Sequence, residues 1–243
     1  MASPKIKKAA LVTGAAKRIG QAMAITLAKR GYDIALHYHS SYPNVQKTAQ
    51  LIKRHNVQCR LFSCDLSQES STQKLISDVK NEFGHLNLLI NSASIFIPSV
   101  FDGQNLNLFN KHFNINLKAP FILMSEFARL CKRGQIVNLL DTNIVKNKTS
   151  YVAYLLSKKA LGELTKMAAV SLAPAIRVNG IAPGLILPPE GKSKGSLQKR
   201  AQQIPLKHVG NTRSICQSLE FLLDNKYLTG QILFNDGGEH LII

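Results

Sequence analysis

The chain is poor in acid: 14 aspartates and glutamates stand against 31 lysines and arginines, a formal net charge of +17 over 243 residues. Such an excess concentrates anions near the surface, phosphorylated cofactors and nucleic acids among them. The basic residues are scattered as pairs (Lys7 and Lys8, Lys17 and Arg18, Lys132 and Arg133, Lys158 and Lys159, Lys199 and Arg200) with no aromatic stacking motif beside them. That dispersion argues against specific nucleic-acid binding. Cysteine is scarce as well: Cys59, Cys64, Cys131 and Cys216 show neither a zinc-ligand spacing nor a disulfide-scaffold density, and the 7 histidines form no HExxH pair. No metal is expected. The longest apolar runs, such as Ile181 to Pro188, fall far short of the roughly 20 residues that a membrane-spanning helix requires. The opening MASPKIKKAALVTG lacks the apolar core and cleavage site of a secretory leader, so the expectation is a cytoplasmic protein with no membrane partner.

What is present is a regular alternation. Apolar residues make up 45% of the chain and charged ones 19%, without low-complexity tracts, which favours one compact domain over residues 1-243. "KAALVTG" is a short apolar run ending in glycine, and "IGQAMAITLAKRG" after it has apolar residues at helical spacing. The same pair recurs as "YDIALHY" with "NVQKTAQLIKRHN", "CRLFSCDL" with "STQKLISDVKNEFG", and "LNLLINSA" with a long helical stretch from about Leu106 to Leu130. Then follow "GQIVNLLD" with a helix over Tyr151 to Leu172, "IRVNGIAPG", and a helix near Arg213 to Leu223 before "QILFNDGG". About seven strands alternating with helices predict an α/β fold, a doubly wound parallel sheet with helices on both faces. Leu185 to Lys207 breaks the rhythm with Pro188, Pro189 and weak periodicity. Since ligands bind at the carboxyl ends of such strands, this segment reads as a mobile loop covering substrate, with a solvated insertion as the bland alternative.

"TGAAKRIG", Thr13 to Gly20, lies where the first strand meets the first helix. There a glycine lets backbone approach a pyrophosphate, and the helix N-terminus attracts its charge. With "CDL" after the third strand and "NSA" after the fourth, the chain resembles the short-chain dehydrogenase/reductase family, over nearly its whole length, and the resemblance implies a Rossmann-type fold. Gly14 and Gly20 match the family's glycine motif, with Lys17 and Ile19 inside it, and Arg18 replaces the middle glycine. An arginine there offers a bidentate fork to a phosphate. "LHYHSS" after the second strand offers His37, His39, Ser40 and Ser41, and no acid that would hold the ribose hydroxyls of NAD. The expected cofactor is therefore NADPH. His39 also has an ordinary reading as a surface histidine. The resemblance places Asp65 and Leu66 at the adenine and Asn91, Ser92 and Ala93 along the ribose; Asp65 could instead cap a turn.

Tyr154 and Lys158 lie four apart on a predicted helix and so share a face, where an ammonium near a phenol favours the phenolate. Asn116 in "NINLKAPF" matches the family's asparagine that helps hold a water and the lysine, or it is an internal polar residue bonded to backbone. Thirteen residues before Tyr154 the family carries a serine that donates to a ketone oxygen; this chain has Asp141, whose charge would repel a developing alkoxide. A C=N bond has the opposite need, because its nitrogen must gain a proton as hydride reaches carbon, and a carboxyl group can relay it.

"TGAAKRIG", "HYHSS", "NSASIF", Asp141 and "APGL" together resemble the pteridine reductase branch, including the bacterial dihydromonapterin reductases. That resemblance implies Ser94 contacting cofactor and pterin, and Phe96 stacking on the pterin, although Phe96 could equally be a core residue at a strand end. Pro183 and Gly184 match the turn at the nicotinamide amide, followed by Leu185 against substrate. Ser40 stands where protozoan members carry an arginine, and Ser92 where the family has a second asparagine. The implied reaction is reduction of a dihydropterin to its tetrahydro form, by a homotetramer built partly on the helices around Leu106 to Leu130 and Tyr151 to Leu172. The rival is a carbonyl reductase of the 3-oxoacyl-carrier-protein type, whose acidic carrier would suit the basic surface. A nucleotide-sensing module without turnover is a third reading, against which the intact Tyr154 and Lys158 speak.

Overall fold

The computed structural model describes residues 7–101, 106–189 and 194–242. Seven parallel strands, β1 (Lys8–Val12), β2 (Tyr32–Tyr38), β3 (Cys59–Ser63), β4 (Leu86–Asn91), β5 (Gly134–Leu139), β6 (Ile176–Pro183) and β7 (Ile232–Asn235), make one sheet in the order β3-β2-β1-β4-β5-β6-β7. The order reverses between β1 and β4, which opens a crevice at their carboxyl ends. The helices are α1 (Arg18–Lys29), α2 (Tyr42–Lys53), α3 (Glu69–Glu82), α4 (Leu106–Phe113), α5 (Ala119–Cys131), α6 (Val152–Ser171), α7 (Lys194–Ala201) and α8 (Thr212–Asp224).

Successive strand residues point to opposite faces, so a strand buried on both sides reads as an unbroken apolar run. On one face Ala10 and Val12 pack with Met23 and Leu27 of α1 and Leu219 of α8. On the other, Ala9 and Leu11 pack with Ile76 of α3 and Leu123 and Phe127 of α5. No helix among the described residues is long and apolar enough to cross a membrane.

Two elements differ from the sequence expectation. The helical stretch from Leu106 is not continuous, because a π-helical turn over Asn114–Lys118 separates α4 from α5. Pro120 has no N–H for the carbonyl of Asn116 four residues back, so the α-helical ladder is already broken there. In the stretch after β6, residues 190–193 lie outside the described ones, and the described part is more regular than its weak periodicity suggests. It contains α7, whose Leu197 and Ala201 bury themselves with Leu185 and Ile204 in a small satellite core. Three or four apolar side chains at the right spacing suffice for this, and the lysines around them mask the pattern.

Candidate active site

The turn from β1 into α1 is held from two sides. Thr13 Oγ1 accepts hydrogen bonds from the backbone N–H groups of Ser92 (2.9 Å) and Ala93 (3.0 Å) and donates to the carbonyl of Ile90. The N–H of Gly14 donates to His37 Nδ1 at 3.1 Å, and His37 Nε2 donates to the carbonyl of Cys64 at 3.0 Å. Because Nδ1 must accept, the ring proton sits on Nε2. Burial pushes His37 down to about 4, against the opposing effect of its bond to Cys64. The sequence places His37 with the phosphate-facing residues; in the structure both its nitrogens are engaged inside the protein, which leaves it a neutral brace between β2, the glycine turn and the end of β3.

A dinucleotide fits this turn. Gly14 has φ +63°, and a Cβ there would lie 2.8 Å from Ala93 Cα; one on Gly20 would lie 2.5 Å from the carbonyl oxygen of Gly14. The chain is thus pared to backbone where a pyrophosphate must come close. Lys17, in extended backbone, precedes α1 without a side-chain cap, and the first turn carries no acid, so the helix's positive end suits an anion. Arg18 takes up a left-handed φ of 60°, a conformation that glycine adopts more readily. Its guanidinium donates from Nη2 to the carbonyl of Pro188 at 2.8 Å, tying the turn to the segment after β6. Ile19 packs at the edge of the core beneath.

Beyond β2, His39 and Ser40 are exposed and Ser41 leads into α2. His39 Nε2 lies 3.9 Å from Asp65 Oδ2, while Asp65 Oδ1 accepts from the N–H of Ser67 at 2.9 Å. That backbone bond is the first reason the Asp65 carboxyl is held below its ordinary range. The turn-capping role is therefore visible, and Leu66 beside it is buried in the core. At the end of β4 Asn91 Nδ2 donates to Asn138 Oδ1 at 2.8 Å, while its own Oδ1 is buried with no partner among the described residues. An orphaned acceptor next to Ser92 and Ala93 is where a ribose hydroxyl would be satisfied.

At the other end of the crevice, Tyr154 on α6 donates its phenolic proton to Asp141 Oδ2 at 2.8 Å. Asp141 Oδ1 is fixed by the backbone N–H and the side-chain amide of Asn143, both at 2.7 Å. Lys158 Nζ donates to the carbonyl of Leu139 at 2.7 Å. Burial, then the charge and hydrogen bond of Asp141, raise the Tyr154 phenol well above its ordinary value. The sequence spacing predicts that Lys158 lowers it. In this arrangement the ammonium is turned to a backbone carbonyl and the carboxyl, not the lysine, is the phenol's partner. Burial lowers Lys158 itself to about 8, with Asp141 opposing.

Asn116, in the π turn, accepts at Oδ1 from the N–H of Ile95 (3.0 Å) and the hydroxyl of Ser94 (3.1 Å), and donates from Nδ2 to Ile95 O (3.2 Å) and Ser157 Oγ (3.1 Å). It shapes the loop after β4 and does not touch Lys158 here; the backbone-bonded alternative is what the structure shows. Phe96 is 44% exposed, which removes the core alternative. One ring face stacks on Tyr151 at 4.3 Å and 7°, and its edge meets Tyr154 at 4.7 Å. Pro183 and Gly184 close β6, where the N–H of Gly184 donates to Asn235 O at 3.0 Å. Leu185 is buried in the satellite core, so its side chain packs against α7 and not into the open crevice.

Sequence reasoning missed Tyr151, which only the stacking reveals, and Asp236. Burial opposes the charge of Asp236, but hydrogen bonds from Thr142, then from the His240 ring and N–H, outweigh it and hold the carboxyl below its ordinary range. An aspartate followed by Gly-Gly after the last strand was the available sign.

A sheet with a crevice at its switch point, a glycine turn at a helix N-terminus and a tyrosine and lysine one turn apart define a dinucleotide-dependent oxidoreductase. The chain belongs to the short-chain dehydrogenase/reductase family: the family model described as "Enoyl-(Acyl carrier protein) reductase" matches residues 14–240. It is 29% identical over 244 residues to the 3-oxoacyl-[acyl-carrier-protein] reductase FabG of Staphylococcus epidermidis, covering 97% of this chain and 100% of that protein. Among solved structures, FolM alternative dihydrofolate reductase 1 from Brucella suis in complex with NADP superposes with a TM-score of 0.91 at 31% identity, covering 97% of this chain and 96% of that one. Acetoin dehydrogenase YohF from Salmonella typhimurium superposes with a TM-score of 0.89 at 29% identity, covering 98% and 97%.

Proposed function

We propose that this enzyme reduces a C=N bond of a pterin ring, taking a dihydropterin to its tetrahydro form with NADPH. The observation that carries the reading is the 2.8 Å bond from Tyr154 to Asp141, a carboxyl where a ketone reductase needs a hydroxyl donor. The likeness to the NADP-bound FolM alternative dihydrofolate reductase supports it.

NADPH would be held by the α1 N-terminus and the Gly14 to Gly20 turn, with Arg18, His39, Ser40 and Ser41 at the adenosine phosphate, Asp65 and Leu66 at the adenine, and Asn91 to Ala93 along a ribose. Bound there, it supplies the hydride for the ring carbon. The chain's own task is the proton. Asn143 orients Asp141 so that one oxygen meets the phenol, and Tyr154, kept neutral by burial, has a proton to pass to the ring nitrogen as the C=N π bond becomes C–H and N–H. Lys158 supplies positive charge behind Tyr154 and donors for the ribose. Ser94 and Phe96 would bear on the pterin, the exposed part of Phe96 backed by Tyr151. Leu185 contributes by packing on α7, which would form the packed part of a substrate cover.

The test compares NADPH oxidation with dihydromonapterin, dihydrobiopterin, dihydrofolate and an acetoacetyl thioester, for the wild type and Asp141→Ser. The expected result is turnover of a pterin, lowered about 100-fold or more by the substitution. Turnover of the thioester alone, improved by serine, overturns the reading. The 3-oxoacyl-carrier-protein reductase reading is kept because full-length relatives at 29% identity carry that activity.

We further propose a homotetramer with α6 in an interface. Leu156, Met167 and Val170 on α6 and Val145 before it are exposed, and a cavity of about 630 Å³ on this outer face, away from Tyr154, is lined by Phe113, Ile144, Leu156 and Phe234. Apolar groups grouped in this way mark an interaction surface.

A further inference from the structure

A second group of charges borders the site and takes no part in the proton transfer. Glu239, on the short turn after β7, is 5% exposed. Its Oε1 lies 3.9 Å from Lys148 Nζ and 3.5 Å from Arg200 Nη2, and its Oε2 is buried with no partner among the described residues. Lys148 belongs to the stretch between Asp141 and Tyr154, three residues before Tyr151, which stacks on Phe96. Arg200 is on α7, in the segment expected to cover substrate. Three elements of the crevice rim therefore converge on one carboxylate.

The arrangement is incomplete as a structural ion pair. Both distances exceed the 2.7–2.9 Å or so of a charge-assisted hydrogen bond, so the cations face Glu239 without donating to it, and the side chains of Lys148 and Arg200 are 41% and 50% exposed. With Lys146 nearby, three cations meet two carboxyls, Glu239 and Asp141, and Asp141 is already committed to Tyr154 and Asn143. Burial disfavours charge on both Glu239 and Lys148. A buried, reluctant anion behind two outward-facing, under-bonded cations leaves a place for an anion from solvent.

We propose that Lys148 and Arg200 form a subsite for an anionic group of the substrate, a carboxylate or phosphate on the part that projects from the reacting ring, with Glu239 as the internal counter-charge that sets their spacing. The specificity follows from the rim and not from the reacting atoms. A neutral substrate gains nothing there, whereas an anionic one gains two charge-assisted bonds and relieves the excess of positive charge.

This inference rests on the pterin reading for the nature of the ring, and the experiment separates the two. Affinities for the NADP-bound enzyme are measured by fluorescence for neopterin and neopterin phosphate, and KM for acetoacetyl-coenzyme A and the uncharged acetoacetyl-N-acetylcysteamine. The expected result is roughly tenfold preference for neopterin phosphate. Lys148→Gln or Arg200→Gln should collapse that ratio toward one, and Glu239→Gln, which removes the competing internal anion, should widen it. Opposite signs from the two kinds of substitution would not arise if the cluster merely held the fold, since every variant would then weaken both ligands together. The same signature in the thioester pair, with no pterin binding, upholds the subsite and overturns the pterin reading. Equal binding of the two pterins upholds the ring assignment and overturns the subsite. Ratios untouched by the variants, or no binding in either series, overturn the subsite as well.

Discussion

The crevice has two ends, and they solve the burial of polar groups differently. Around β1, β2 and β4 the buried polar groups include Thr13, His37 and Asn91, which are uncharged in the fold at neutral pH, His37 being the one of them that can titrate, and Thr13 and His37 spend their bonds on backbone. Around β5, β6 and β7 neutral groups such as Asn138, Thr142 and Asn179 are buried too, but the ionisable Tyr154, Lys158, Asp236 and Glu239 are buried beside them, with Asp141 against them. Burying a neutral group costs little once it is bonded, whereas a cluster of buried ionisable groups displaces its members' titrations together. One end is constructed to hold a shape and the other to carry protons.

Removing the proton donor tests that contrast most severely. Tyr154→Phe should lower kcat by about 10² to 10⁴ while the affinity for NADPH, read by fluorescence titration, changes far less; an equal loss in both would mean the two ends are not separable. The pH profile of the wild type belongs to the same end. Lys158 is lowered to about 8, so its ammonium is present below that pH and lost above it, and kcat/KM should fall as pH rises through about 8.

At the holding end the expected effect is on stability. His37 titrates near 6.5 unfolded and about 4 folded, so the unfolded chain binds more protons between these values and stability falls as pH drops from 6.5 to 4. The shift corresponds to about 3 kcal/mol. Urea midpoints across this range should show the loss, and His37→Gln should flatten it while lowering stability at neutral pH. The smallest effect is expected at Arg18, whose φ of 60° costs a non-glycine residue about 1 kcal/mol. Arg18→Gly should return that stability in thermal unfolding and, in titrations of both cofactors, weaken the preference for NADPH over NADH.

The strands and helices were legible because both faces of the sheet are covered, which makes each strand an unbroken apolar run beside a helical period. Tyr154, Lys158 and Asp141 were legible because their spacing is local to one loop and one helix. His37 was not, since "LHYHSS" does not say which histidine points inward; only the pairing of β2 beside β1 and β3 does. The phenol's partner in the structure, Asp141, was hidden for a similar reason. A helix places Tyr154 and Lys158 on one face, but whether the ammonium turns to the phenol or to Leu139 O depends on where β5 ends. Glu239 was invisible because its partners lie 91 and 39 residues away in the chain.

The π turn at Asn114–Lys118 changes what a mutation in that region would do. Each α-helical residue turns the chain by about 100°, so the surplus residue rotates everything after it by that amount relative to an uninterrupted helix. Asn116 can thereby face the loop after β4 while Leu123 and Phe127 face the sheet. Deleting a single residue here would leave the composition almost intact and still swing the apolar stripe of α5 toward solvent. At this point of the chain the number of residues matters as well as their identity.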